Sequence, residues 1–312
     1  MTFRLLLCAF LGVSGTVLAL ETDQYSNRNE QVADCTELLN FKVNQAIAEV
    51  AADWKHGEKE WKFVNAVWRK IGGLYWVDKL ERWAMESPEV GKLSTRRWGS
   101  IYRGIPFWAT RVVSLYGIGK TFRINGVLVG SDKIGHFLSQ GRKFYRRYRR
   151  SGSEEKAARR SSATESGIFG QKTTGCYSNA DLVANYEGYR FYRSLFHEDV
   201  VEGKPAILRW ENGKPLVQRS FDWADHVNTF WDEVLNPNHF DSVLAPHMRK
   251  RLESLCGHYE TAPQIWDNPD FDQLWQRYAN LLNLRDSRDF LMNNVCQAQA
   301  NPRVAIREKE QQ

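Results

Sequence analysis

Apolar residues in this chain recur mainly at helical spacing. Between Cys35 and about Glu86, Trp54, Trp61, Val64, Trp68, Ile71 and Tyr75 fall on one face, predicting helices divided at Gly57 and at Gly72-Gly73. A second stripe, Ile134, Phe137, Leu138, Gly141, Phe144, Tyr145 and Tyr148, follows Ser131, which is placed to cap that helix. A third helix opens at "SNADLVANYEGYRFY", where Ser178 and Asp181 have the spacing of a capping box. Further helices are expected over 221–237, stopped by Pro237, and at about 242–256, 270–283 and 286–298. Strand signals are confined to two hairpins, 122–130 around Asn125-Gly126 and 207–219 around Asn212-Gly213, where each pair supplies the positive-φ positions of a tight turn.

Polar residues 21–34 read as a loose start, the Gly/Ser/Thr-rich stretch 151–181 as a long loop, and "REKEQQ" as a frayed tail. The expected fold is mainly α, a helical domain with two small β-hairpins. Its regions are a leader at 1–19, a helical region at 20–120, a hairpin and two-helix region at 121–200, and a hairpin and helical region at 201–312, packed as one domain.

The leader changes the picture of where the chain works. "MTFRLLLCAFLGVSGTVLAL" has one early charge, an apolar run, and small residues at Val17 and Ala19, the pattern of a secretory signal peptide cut after Ala19. No other stretch reaches the length of a membrane span; the nearest, "IPFWATRVVSLYGIG", is interrupted by Arg111. The expectation is an exported protein, periplasmic or secreted, with no membrane span in the mature chain. Four cysteines remain, Cys35, Cys176, Cys256 and Cys296. They suit two disulfides in an oxidising compartment, with Cys256–Cys296 the favoured pair and free thiols the alternative. A net charge of +6 favours an anionic envelope partner (lipid, lipopolysaccharide or peptidoglycan), and export argues against nucleic acid. The run Arg142, Lys143, Arg146, Arg147, Arg149 and Arg150 is the candidate contact, although cations also complement a helix C-terminus.

Candidate chemistry gathers on the second and third stripes. "YGIGKTF" fails as a phosphate loop, because Ser114 stands where a glycine is required and a hairpin follows instead of a helix. In "GSDKIGHFLSQG", Asp132 and His136 lie four apart, opposite the apolar stripe, beside Lys133. Asp181, Asn185 and Gly188 line one edge of the third helix; Gly188 allows close helix approach, and a buried Asn185 requires polar partners. "DKIGHF", then Glu165, then "DLVANYEG" resembles the D-K-x-x-H-F … E … D-L-x-x-N-x-x-G pattern of VanZ-like proteins, and more closely the exported YfiM-like proteins of unknown function. The resemblance covers roughly residues 126–192, at Asp132, Lys133, His136, Glu165, Asp181, Asn185 and Gly188. VanZ-like proteins are integral membrane proteins linked to glycopeptide tolerance; this chain departs from them in lacking spanning helices.

Three readings of these residues stand side by side. One is a divalent metal site drawing on His136, Asp132, Glu165 and Asp181, with His226 as a second histidine, since Asp222 and His226 repeat the Asp-x-x-x-His spacing. Another is a metal-free site with His136 as base, Asp132 as its orienter, Lys133 stabilising an anion and Glu165 as a second acid. In the third, the same residues, with Ser178, Asp181, Asn185 and Gly188, form a network that only locks helices together. The first two describe an envelope hydrolase or transferase acting on lipid-linked or glycan material, and the third a non-catalytic structural or interaction protein.

Overall fold

A computed structural model describes residues 21–73, 77–110, 117–167 and 171–300. The expected leader, Tyr75 and the "REKEQQ" tail lie outside them. At 54% helix, with only two-stranded sheets among the described residues, the chain is mainly α. Helices α1 (Thr36–Ala52), α2 (Glu60–Ile71) and α3 (Lys79–Glu86) form the first group, divided near the expected glycines. Strands β1 (Thr121–Ile124) and β2 (Val127–Gly130) pair antiparallel about Asn125 and Gly126, at φ 51° and 74°. The second hairpin, β4 (Leu208–Glu211) with β5 (Lys214–Val217), turns at Asn212 and Gly213, at φ 51° and 77°. Between them a ladder not foreseen from sequence pairs β3 (Cys176–Tyr177) with β6 (His239–Phe240).

Helix α4 runs straight out of β2 in three segments, Ser131–Gly135, a π-helical turn at His136–Gln140, and Gly141–Ser151. Ser131 is not its cap. Gly130 occupies that position, while Ser131 is the first helical residue, with a buried hydroxyl that finds no hydrogen-bond partner among the described residues. The apolar stripe is buried as expected, with Ile134, Phe137, Leu138, Phe144 and Tyr145 at 0–1% exposure. The opposite face meets protein as well: Trp68 donates to the Ser139 hydroxyl at 2.9 Å, which donates to Asp78 at 2.7 Å.

Helix α6 (Asn179–Ser194) crosses α4 at a glycine contact. A β-carbon on Gly188 would lie 1.9 Å from the Phe137 carbonyl oxygen, and one on Gly141 would lie 2.6 Å from Gly188. That approach brings the His136 edge of α4 to the Asp181/Asn185 edge of α6. The Tyr192 hydroxyl donates to the Leu138 carbonyl inside the π turn at 2.9 Å, a second tie at the crossing.

Three expectations are corrected. The stretch 151–181 is not one loop, because it contains helix α5 (Glu154–Glu165); Ser153 accepts from the Lys156 N–H, and Glu154 and Glu155 lie at its positive end. Residues 221–237 form 3-10 turns in place of an α-helix. Asp222, Asn228 and Asp232 each accept from a backbone N–H two residues on, which diverts those donors from helical bonding. Residues 21–28 are not loose: Thr22, Asp23, Gln24 and Tyr25 are at most 3% exposed, and Arg28 pairs with buried Asp232 at 2.8 Å.

The C-terminal helices α7 (Ala245–Glu253), α9 (Phe271–Leu282) and α10 (Met292–Ala300) fall close to their expected places, and a helix not expected from sequence, α8 (Cys256–Thr261), stands between α7 and α9. Helix α9 joins α1–α6 in the main apolar core, whereas α7, α8 and α10 share a second core with Ile101, Tyr102 and Ile105. The expected Cys256–Cys296 disulfide joins α8 to α10 with a Cα separation of 5.5 Å. Cys35 and Cys176 are buried free thiols, so the pairing into two disulfides is corrected to one.

The crossing generates a paired prediction. Gly188→Ala forces backbone against backbone and is expected to lower stability by about 2–3 kcal/mol. Gly257→Ala, where a β-carbon meets nothing within 4 Å, is expected to be neutral or stabilising by up to about 1 kcal/mol. Urea denaturation measures both; equal effects would mean that the crossing is not tight.

Candidate functional site

Lys133 is the residue around which the site is arranged. Its side chain is fully buried, and its ammonium lies 2.6 Å from Asp132 Oδ2, 2.7 Å from Asp181 Oδ1 and 2.7 Å from Glu233 Oε1. Hydrogen bonds run to Asp132 and Glu233, and Asp181 pairs with the same ammonium at ion-pair distance. Burial opposes the lysine's charge, but the three carboxylates outweigh it and hold its pKa well above the ordinary range. The expected role of Lys133 as an anion stabiliser is therefore corrected: enclosed and fully engaged, it has no face for a substrate.

Further carboxylates surround this centre. Glu165, at the end of α5, accepts from the Ser178 N–H at 3.3 Å, and burial together with Asp181 drives its pKa well up. Ser178 caps α6 by accepting from the Asp181 N–H at 3.1 Å, and its hydroxyl also donates to Glu233 at 3.3 Å. Burial moves Glu233 up to about 7, with Lys133 opposing and Asp132 and Asp181 reinforcing the rise. Glu21 is raised well above its usual range by burial and by Glu233. Its segment packs where Gly130 makes room, since a β-carbon there would lie 2.3 Å from the Thr22 hydroxyl.

His136 closes the open side of the cluster, with 23% of its side chain exposed. Its Nδ1 lies 3.0 Å from Asn185 Oδ1, and Asn185 Nδ2 donates to the Ser161 hydroxyl at 3.2 Å. With the amide oriented in this way, Nδ1 must be the donating N–H. His136 Nε2 is then left 3.1 Å from Asp181 Oδ2. A bare lone pair facing a carboxylate oxygen is repulsive, so a proton or a cation belongs between them. Burial alone would raise the Asp181 pKa, but His136 and Lys133 overcome it and hold the carboxyl below its usual range.

Among the described residues, one His/Asp/Glu/Cys group can hold a metal ion: Asp132, His136 and Asp181, whose donor atoms lie within 4.8 Å of one another. Asp132 Oδ1 is buried and accepts no hydrogen bond, whereas Asp181 Oδ1 faces the Lys133 ammonium. Of the expected donors, Asp132, His136 and Asp181 come together in this group, Glu165 accepts from the Ser178 N–H outside it, and His226 is engaged elsewhere. Buried His226 meets Glu187 at 3.2 Å in a separate network, where Tyr278 donates to Glu187 at 2.7 Å and Arg190 at 2.9 Å.

The basic run divides. Arg142 lies over the Trp68 ring at 3.9 Å, and Lys143 and Arg147 are half-buried. Arg146, Arg149 and Arg150 stay exposed, and Arg149 lines a surface cavity of about 340 Å³ with Trp61, Trp210, Lys59 and Lys62. Sequence reasoning missed Glu21, Ser161 and Glu233. The first was hidden in an apparently loose start and the second in an apparent loop. Glu233 was hidden in an apparent helix, although the density of Asp and Asn in "DHVNTFWDEVLNPN" signals turns rather than helix.

Two predictions follow from these charges. Lys133→Met leaves three carboxylates without their shared cation and is expected to cost about 3–5 kcal/mol in urea denaturation; a loss below about 1 kcal/mol would show that the ammonium is dispensable. Asp78, buried beneath Ser139, is pushed up to about 6 from 3.8 by burial. A carboxyl raised on folding binds more protons in the folded state, so it removes stability as pH rises from about 4 to about 6. Asp78→Asn, which keeps an acceptor for Ser139, is expected to gain about 2–3 kcal/mol relative to wild type across that window. A pH-independent difference would contradict the assignment.

No family model matches this chain, and neither a curated protein nor a solved structure matches it.

Proposed function

We propose that this protein is an exported cell-envelope hydrolase or transferase, acting on lipid-linked or glycan material through a divalent cation held by Asp132, His136 and Asp181. The observation that carries the reading is the 3.1 Å approach of His136 Nε2 to Asp181 Oδ2, with Nδ1 already committed to Asn185. Both ring nitrogens are engaged, which leaves none to take a proton from substrate and counts against His136 as a metal-free base. A bound cation there would supply water activation and polarisation of a substrate oxygen. Asn185 sets the tautomer that turns the Nε2 lone pair towards the aspartates, and Lys133 holds both aspartates in place and helps to keep Asp181 ionised. The exposed edge of His136 is the side from which substrate approaches. Export and substrate class are supported by the apolar leader with Val17 and Ala19, and by the resemblance of the "DKIGHF" and "DLVANYEG" motifs to VanZ-like and YfiM-like proteins.

A second reading, the non-catalytic helix-locking network, is favoured by the complete burial of Lys133. Titration calorimetry of the purified, chelator-treated protein with zinc, manganese and magnesium separates the two. The proposal expects one equivalent of cation, a raised melting temperature, and affinity roughly 10–100-fold weaker in Asn185→Ala. Absence of binding by the wild type, with His136→Ala costing several kcal/mol of stability, would favour the network.

A further inference from the structure

Positive charge is distributed unevenly along this chain. Between Glu89 and Asp132 there is no acidic residue but there are seven Lys and Arg, more than the +6 excess of the whole protein. Within that stretch, Trp98 and Trp108 are 76% and 61% exposed, although tryptophan carries a large apolar surface. Their exposure does not come from a loosely attached loop. Ser100, Ile101, Tyr102 and Ile105 are buried at 0–3% exposure, and Asp23 accepts from the Ile101 N–H at 3.1 Å.

The stretches that carry the two tryptophans are tied to each other and to α7. Arg97 donates to the Ile105 carbonyl at 3.5 Å, drawing the two ends of the segment together. Arg251 of α7 donates to the carbonyls of Ser100 and Ile101 at 3.2 and 3.3 Å. One turn earlier on the same helix, the His247 ring meets Trp108 edge-on at 5.8 Å. The two tryptophan-bearing stretches are thus laid side by side along α7, with Arg96 and Arg103 exposed at their margins.

We infer that residues 96–108 form a docking face for the headgroup region of an anionic lipid bilayer. Tryptophan prefers the boundary between headgroups and acyl chains, where its ring is buried and its N–H stays wet. Arginines around it are drawn to anionic headgroups, and the segment itself contains no acidic residue to oppose that attraction. This face is distinct from the Arg142–Arg150 run and does not depend on the reading of the His136 site.

The test is cosedimentation of the purified protein with vesicles of phosphatidylglycerol and phosphatidylcholine, against phosphatidylcholine alone, with tryptophan emission recorded in parallel. Binding is expected to anionic vesicles only, with a blue-shifted emission and weakening at raised salt. Arg96→Gln/Arg103→Gln is expected to bind roughly 30-fold more weakly. Trp98→Ser/Trp108→Ser is expected to lose the emission shift while its circular dichroism and melting temperature remain those of the wild type. Absence of binding to anionic vesicles at low salt would overturn the inference, as would binding that both double variants retain. So would a concentration-dependent dimer lost in the tryptophan variant, which would make the face a contact between copies.

Discussion

A single buried ammonium governs the arrangement around it. Lys133 sits at 0% exposure among Asp132, Asp181 and Glu233, and without it those carboxylates would be driven to protonate or to leave the interior. Three separate parts of the chain converge on this one cation: the start of α4, the cap of α6 and the turn-rich segment at 228–238. Glu165 from α5 and Glu21 from the buried N-terminal segment complete the surroundings. Burial raises the pKa of Glu21, Glu165 and Glu233, whereas Asp181, held by His136 and Lys133, is lowered. The cluster therefore combines carboxyls that tend to keep protons with one held ionised beside a histidine.

The helix crossing turns this charge arrangement into a directed site. Gly188 lets α6 approach the Phe137 backbone, and that approach sets Asn185 against His136 Nδ1. Asn185 is in turn fixed by Ser161. The imidazole is thereby oriented by a residue that touches neither Asp132 nor Lys133, and its other nitrogen is turned to Asp181. A structure whose purpose was only to join α4 to α6 would have no need to leave Asp132 Oδ1 buried without a hydrogen bond. That atom, together with Asp181 Oδ2 and His136 Nε2, is what a cation would use.

Much of this was legible in the amino-acid sequence, for physical reasons that differ by element. Helices with long periodic apolar faces were found because burial enforces their spacing, and both Asn-Gly hairpins were found because few dipeptides tolerate two positive-φ positions. Asp132, His136, Asp181 and Asn185 were found because helical spacing and the resemblance both select them. What escaped was polar structure held by distant partners. Nothing local in "ETDQYSNR" reveals that Asp23 will cap the Ile101 N–H or that Arg28 will find Asp232. Glu233 looked like one charge on a helix, because the Asx turns that bend its segment compete with helix formation without disturbing the apolar pattern. His226 shared the spacing of His136, yet its partner Glu187 lies about 120° round α6 from Asp181, and spacing alone did not show it.

The central claim is that His136 presents Nε2, and not Nδ1, to a cation shared with Asp181. Nitrogen-15 NMR of the histidine side chains, recorded before and after addition of zinc, tests it most directly. The account predicts that zinc displaces the Nε2 resonance of His136 while Nδ1 keeps its proton and its coupling, and that Asn185→Ala blurs this distinction. A His136 spectrum in which Nε2 is unmoved by zinc would contradict it.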